Sequence, residues 1–191
     1  MRIGRILLVA APAWVIGVLG LAHPVFLTTA TADRWQLVHL VLLPLFPLVA
    51  GSVLWLVRGD RSALAWVARV CAYGYTVLYG ALDSIAGIGA PQQVRNSPRP
   101  PIGDLFEIGD RLGHVGVVLL AVAGLATGLL LWLRHRSPLA LAGGAVLALA
   151  CLPFYRHHVF PSRGVLAMLG IGVGLALLAA AQERAAHVRG G

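Results

Sequence analysis

Residues 112–133 read LGHVGVVLLAVAGLATGLLLWL, an apolar run with no Asp, Glu, Lys or Arg that ends at Arg134. A bilayer core roughly 30 Å thick needs about 20 such residues in helical form. Without water, helix is also the only single-segment way to satisfy every backbone N–H and C=O. The stretch therefore reads as a transmembrane helix. Five more stretches qualify by the same measure: residues 6–26, 36–57, 64–88, 138–155 and 164–181. Together they predict an all-α, polytopic membrane bundle of about six helices. It fills residues 1–191 as a single transmembrane domain, with residues 89–111 as the one sizeable outer loop.

Composition agrees. The chain is 59% hydrophobic and 12% charged, where a soluble domain is nearer half and a quarter. The net charge of +8 comes from arginine alone, because there is no lysine. These arginines flank the apolar runs, so they set topology and give no footprint for nucleic acid. With the N-terminus inside, Arg2, Arg5, Arg58, Arg61, Arg69, Arg134, Arg136, Arg184 and Arg189 fall on the inner side. Arg34, Arg95, Arg99, Arg111, Arg156 and Arg163 fall outside, which favours N-in and C-in. The expected location is the cytoplasmic (inner) membrane of a bacterium, the lysine-free, Ala- and Gly-rich composition suggesting GC-rich coding. A basic start, an apolar run and Gly20-Leu21-Ala22 also allow residues 1–22 to be a cleaved signal peptide. Expected partners are membrane lipids, with a second copy or another membrane protein as further candidates. Gly124-x-x-x-Gly128 and Gly170-x-x-x-Gly174 favour close helix contact, within the chain rather than between chains.

The ionisable residues inside these spans carry the functional signal, because charges are costly in lipid. His23 closes the first span and His39 lies one turn into the second. Asp83 sits late in the third, His114 opens the fourth, and His157-His158 close the fifth. In an up-down bundle they fall at one depth near one face. The expected metal ligands are His23, His39, Asp83, His114 and His158, since imidazole with carboxylate suits zinc, iron or copper. His39 and His114 form the candidate axial pair should the cofactor be haem b. His39, Asp83 and His114 are the candidate catalytic groups for redox or lipid-directed hydrolytic chemistry.

Other features have two readings each. Pro44 and Pro47 free the carbonyls of Leu40 and Leu43, either to bind a ligand or simply to kink the second span. Tyr75, Tyr79 and Asp83 share one helical stripe. Gly113 and Gly116 leave space beside His114 for a ligand or for a neighbouring helix. Cys71 and Cys151 lie toward opposite faces, which argues against a disulfide. Two other function classes stand beside the metal or haem protein. One is a structural or regulatory bundle without cofactor, and the other a small proton-coupled transporter using the broken second helix and the tyrosine stripe.

Overall fold

The computed structural model describes residues 2–97 and 100–190, with side chains up to 185. The inner and outer arginine assignments for Arg99 and Arg189 lie outside the described side chains. Among the described residues the chain is helical without strands. The helices are α1 (Ile3–Gly20), α2 (Ala32–Leu42), α3 (Phe46–Leu56) and α4 (Ala63–Leu82). A π-helical segment (Asp83–Gly89) follows, then α5 (Ala90–Asn96), α6 (Ile102–His135), α7 (Pro138–His157) and α8 (Arg163–Gly190). Each of the six expected stretches is mainly helical, but the first ends at Gly20, leaving residues 21–26 with His23 in the connection, and the second is broken at residues 43–45. Five are long and apolar enough to cross a membrane, with α2 and α3 together forming one of them. The sixth, α4, falls outside that set, because Arg69, Tyr73, Tyr75 and Tyr79 lower its hydropathy. The outer surface carries exposed Leu, Val, Ile and Trp residues such as Leu8, Leu54, Trp66, Leu129 and Leu166. This is the surface of a membrane-embedded protein.

Two elements differ from the sequence reading. Residues 89–111 are largely helical: α5 continues the π segment, and α6 starts at Ile102, directly after Pro100-Pro101. Prolines end one helix and favour starting the next, and Glu107 pairs with Arg111 one turn on. At 1.5 Å per residue the 34 residues of α6 run about 51 Å, so its acidic first turns extend past the apolar part. The second difference is the π-helix at Asp83, which no apolar period announces.

The spans close into a ring in chain order. α1 packs on α3, α3 on α4, α4 on α6, α6 on α7, α7 on α8, and α8 on α1. Short connections make such neighbours antiparallel. Glycines set the closest approaches. A Cβ on Gly128 would lie 2.7 Å from the Ala140 carbonyl, and one on Gly174 would lie 2.7 Å from the Leu147 nitrogen. Both glycine motifs therefore serve contacts inside the chain. A Cβ on Gly143 would meet the Leu178 nitrogen at 2.8 Å and the Gly174 oxygen at 2.9 Å, both backbone atoms that cannot swing aside. Gly143→Ala is accordingly expected to force α7 from α8 at a cost of about 1–3 kcal/mol, read as a lower midpoint of unfolding in detergent. An unchanged midpoint would contradict this packing.

Polar links tie the ring together. Ser52 donates to the Val9 carbonyl at 2.8 Å, joining α3 to α1, and Trp14 donates to the Leu169 carbonyl at 3.3 Å, joining α1 to α8. One end is fastened by Arg5 to Glu183 at 3.1 Å and Arg134 to Asp60 at 3.3 Å. Hydrogen bonds from Ser62 hold the Asp60 carboxyl below the usual carboxylate range. The opposite end gathers His23, His39, His114, His157 and His158, while His135 lies beside Arg134. Cys71 and Cys151 are both buried and free.

Candidate metal centre

The break in the second span brings His39 inward. Pro44 and Pro47 interrupt the helix between Leu42 and Phe46, and His39 sits in the last turn of α2 at 1% exposure. Its Nδ1 lies 2.8 Å from the Trp35 carbonyl. A carbonyl only accepts, so Nδ1 carries the proton and Nε2 presents a lone pair. His23, in the connection after α1, is arranged alike: Nδ1 donates to the Pro24 carbonyl at 2.6 Å and leaves Nε2 bare. These two Nε2 atoms face each other 3.4 Å apart. Two neutral imidazoles so fixed have lone pairs directed at one another with no proton between them.

Asp83 supplies a carboxyl group. It opens the π-helix, is fully buried, and neither carboxylate oxygen has a hydrogen-bond partner. Its nearest base is His39 Nε2, at 3.9 Å. Single π turns inside α-helices occur often at functional sites, since the extra residue re-aims a side chain. Trp35 braces this segment by donating to the Ala86 carbonyl at 3.2 Å.

His158 completes the group. One ligand atom each from His39, Asp83 and His158 lies within 4.8 Å of the others. His158 caps α7 with φ 49° and ψ −136°, a left-handed conformation that costs a non-glycine residue about 1–3 kcal/mol. Tyr79 pairs with its Nδ1, which leaves Nε2 as the nitrogen open to ligation. Such a partner for the outer ring nitrogen is the usual way a ligating histidine is oriented. The turn also needs Gly164, whose Cβ would collide with the His158 carbonyl.

The structure thus brings His39, Asp83 and His158 into one group, with His23 outside that set and joined to it through His39 Nε2. His114 stands apart from that group: it stacks on Tyr155 with ring centroids 3.9 Å apart. It lines a cleft of about 130 Å³ whose walls also include Tyr79, Asp110, Arg156 and His158. Its flanking glycines serve packing, since a Cβ on Gly113 would strike Leu82 and one on Gly116 would come 3.1 Å from the Tyr79 nitrogen. Tyr79 stands out in the sequence only through its stripe with Asp83, and nothing there signals its partnership with His158. Tyr75, next on that stripe, is fully buried with its hydroxyl lacking a hydrogen-bond partner.

Comparison with protein-family models, with curated proteins and with solved structures finds no match for this chain.

Gly87 provides a direct probe of that geometry. A Cβ there would run into the His39 ring, touching its Cδ2, Cγ and Cβ. Gly87→Ala, one methyl outside the ligand set, is expected to displace His39 and lower metal occupancy at least about tenfold, consistent with the sensitivity of metal sites to their supporting groups. Full occupancy in that variant would show that His39 does not need its present position.

Proposed function

We propose that this chain is a multi-pass membrane protein that holds one divalent transition-metal ion on His23, His39, Asp83 and His158. The reading rests on one observation: two Nε2 lone pairs, each fixed by a carbonyl at Nδ1, face one another 3.4 Å apart beside a buried carboxylate without hydrogen bonds. A cation is what that arrangement lacks. With zinc–nitrogen bonds of roughly 2.0–2.1 Å, ligands on a tetrahedral ion lie about 3.3 Å apart; the His23–His39 pair is at 3.4 Å and the His39–Asp83 pair at 3.9 Å, so the donors close in somewhat around an ion. Three imidazoles and one carboxylate form a nitrogen–oxygen set suited to zinc, and also to iron or copper.

A shared proton is the competing occupant, and it fits less well. One proton between His23 and His39 would leave both Asp83 oxygens unbonded, whereas a metal ion seated on His39, Asp83 and His158 engages that carboxyl as well. Haem fits less well still. A porphyrin lies between its axial imidazoles, and Asp83 and His158 occupy that ground beside His39. The other expected axial ligand, His114, is stacked against Tyr155.

A bound divalent ion would supply Lewis acidity, lowering the pKa of water and polarising an ester or phosphoryl oxygen. Around it the chain offers Tyr79 to orient His158, and a cleft bearing His114 and Asp110 within reach of a substrate. The arginine distribution supports a reading in which this end faces outward from a cytoplasmic membrane. Elemental analysis of protein purified in mild detergent, with an absorption spectrum, tests the reading. About one zinc, iron or copper per chain and no Soret band is the expected result. Protein that stays metal-free after incubation with zinc, iron(II) and copper(II) would overturn it.

A further inference from the structure

Beside the cleft lies a larger recess. Between α6 and α7 the surface opens into a groove of about 750 Å³, within the roughly 300–1,000 Å³ typical of small-molecule sites. Its walls are apolar, formed by Val118, Val122 and Leu125 on α6 and by Ala148 and Leu152 on α7. Its polar groups gather at the histidine end, where Arg156, His157 and Arg163 form the rim. Arg163 approaches His157 Nε2 at 3.5 Å. Neither Arg156 nor Arg163 has an ion-pair partner among the described residues, whereas Arg5, Arg95, Arg111 and Arg134 each have one. Groove and cleft share a wall: Val117, Tyr155 and Arg156 line both, and Tyr79 and His158 also line the cleft.

An apolar trough with a cationic rim at headgroup depth is complementary to one class of molecule. We propose that the groove binds a membrane lipid with a phosphate-bearing headgroup. Its acyl chain lies between α6 and α7, and its phosphate rests against the Arg156 and Arg163 guanidiniums. Guanidinium is the cation best suited to phosphate, through paired, charge-assisted hydrogen bonds. Headgroup atoms beyond the phosphate then enter the cleft, where Asp110 can accept from a hydroxyl and His158 borders the metal centre. The inference rests on the metal-centre reading for its consequence, that such a lipid is the substrate class of that centre. Lipid binding itself is independent of the metal.

The test is native mass spectrometry of the full chain released from mixed micelles containing dioleoylphosphatidylglycerol or, as the phosphate-free control, dioleoylglycerol. Metal content is measured on the same samples. Wild type is expected to retain phosphatidylglycerol over dioleoylglycerol. The double variant R156Q/R163Q and the groove-filling Ala148→Phe should each reduce retention about tenfold with metal content unchanged. Equal retention by wild type and both variants would overturn the proposal, as would displacement of the lipid by soluble glycerol phosphate at matched concentration, which would make a free anion the ligand. Metal-free wild type that still shows the variant-dependent retention would support the lipid site while removing the metal-centre reading, so the two failures are distinguishable.

Discussion

His39→Ala is expected to empty the proposed metal centre. His39 makes the shortest contacts in the group: its Nε2 is 3.4 Å from His23 Nε2 and 3.9 Å from Asp83, and its ring stacks on His158 at 5.9 Å between centroids. Without it, His23 faces a gap and the remaining donors no longer surround one point. Bound metal is expected to fall from about one ion per chain to below about 0.1, a loss typical of removing a ligand where even a supporting partner is worth 10–100-fold. His114→Ala, by contrast, should retain the ion, because His114 stacks on Tyr155 outside the group. The pair is read by elemental analysis of both variants purified in parallel. Equal metal content in the two would end the assignment of ligands, whichever way it fell.

Asp83→Leu reverses the sign of a stability change according to whether metal is present. In metal-free protein the carboxylate is fully buried without a hydrogen bond, an arrangement that costs more than the apolar side chain replacing it. The variant should therefore unfold at higher temperature than wild type in chelator, by the equivalent of about 1–3 kcal/mol. With zinc at roughly a hundred times its dissociation constant, wild type gains about 2.7 kcal/mol by mass action. Asp83→Leu lacks one donor and should gain little. The two melting curves, with chelator and with zinc, should cross over in order. A variant destabilised in chelator would mean that Asp83 holds the bundle together rather than waiting for a cation.

Depth along the bundle and position around each helix axis were legible to different degrees. The rise per residue ties depth to sequence, so five chemically apt residues, His23, His39, Asp83, His114 and His158, could be placed near one end by counting. Rotation about an axis depends on which neighbours a helix finds. Helix α6 turns its Gly109, Gly113 and Gly116 edge against Ala86, Leu82 and Tyr79, which leaves His114 facing Tyr155 instead of Asp83. The Pro44 and Pro47 break was visible as a missing N–H. That it would cradle His39 against His23 was not.

The amino-acid sequence by itself determined that the chain is helical, that its apolar runs are long enough for a bilayer, that arginines mark the ends, and that imidazole and carboxylate lie at one level. These follow from hydropathy, helix rise and side-chain chemistry, all local properties. Only the tertiary structure decided which of those groups share a centre. The π turn at Asp83, the left-handed cap at His158 and the glycine contacts that fix helix rotation are settled by packing between segments distant in the chain. Each carries a local cost that only those contacts offset.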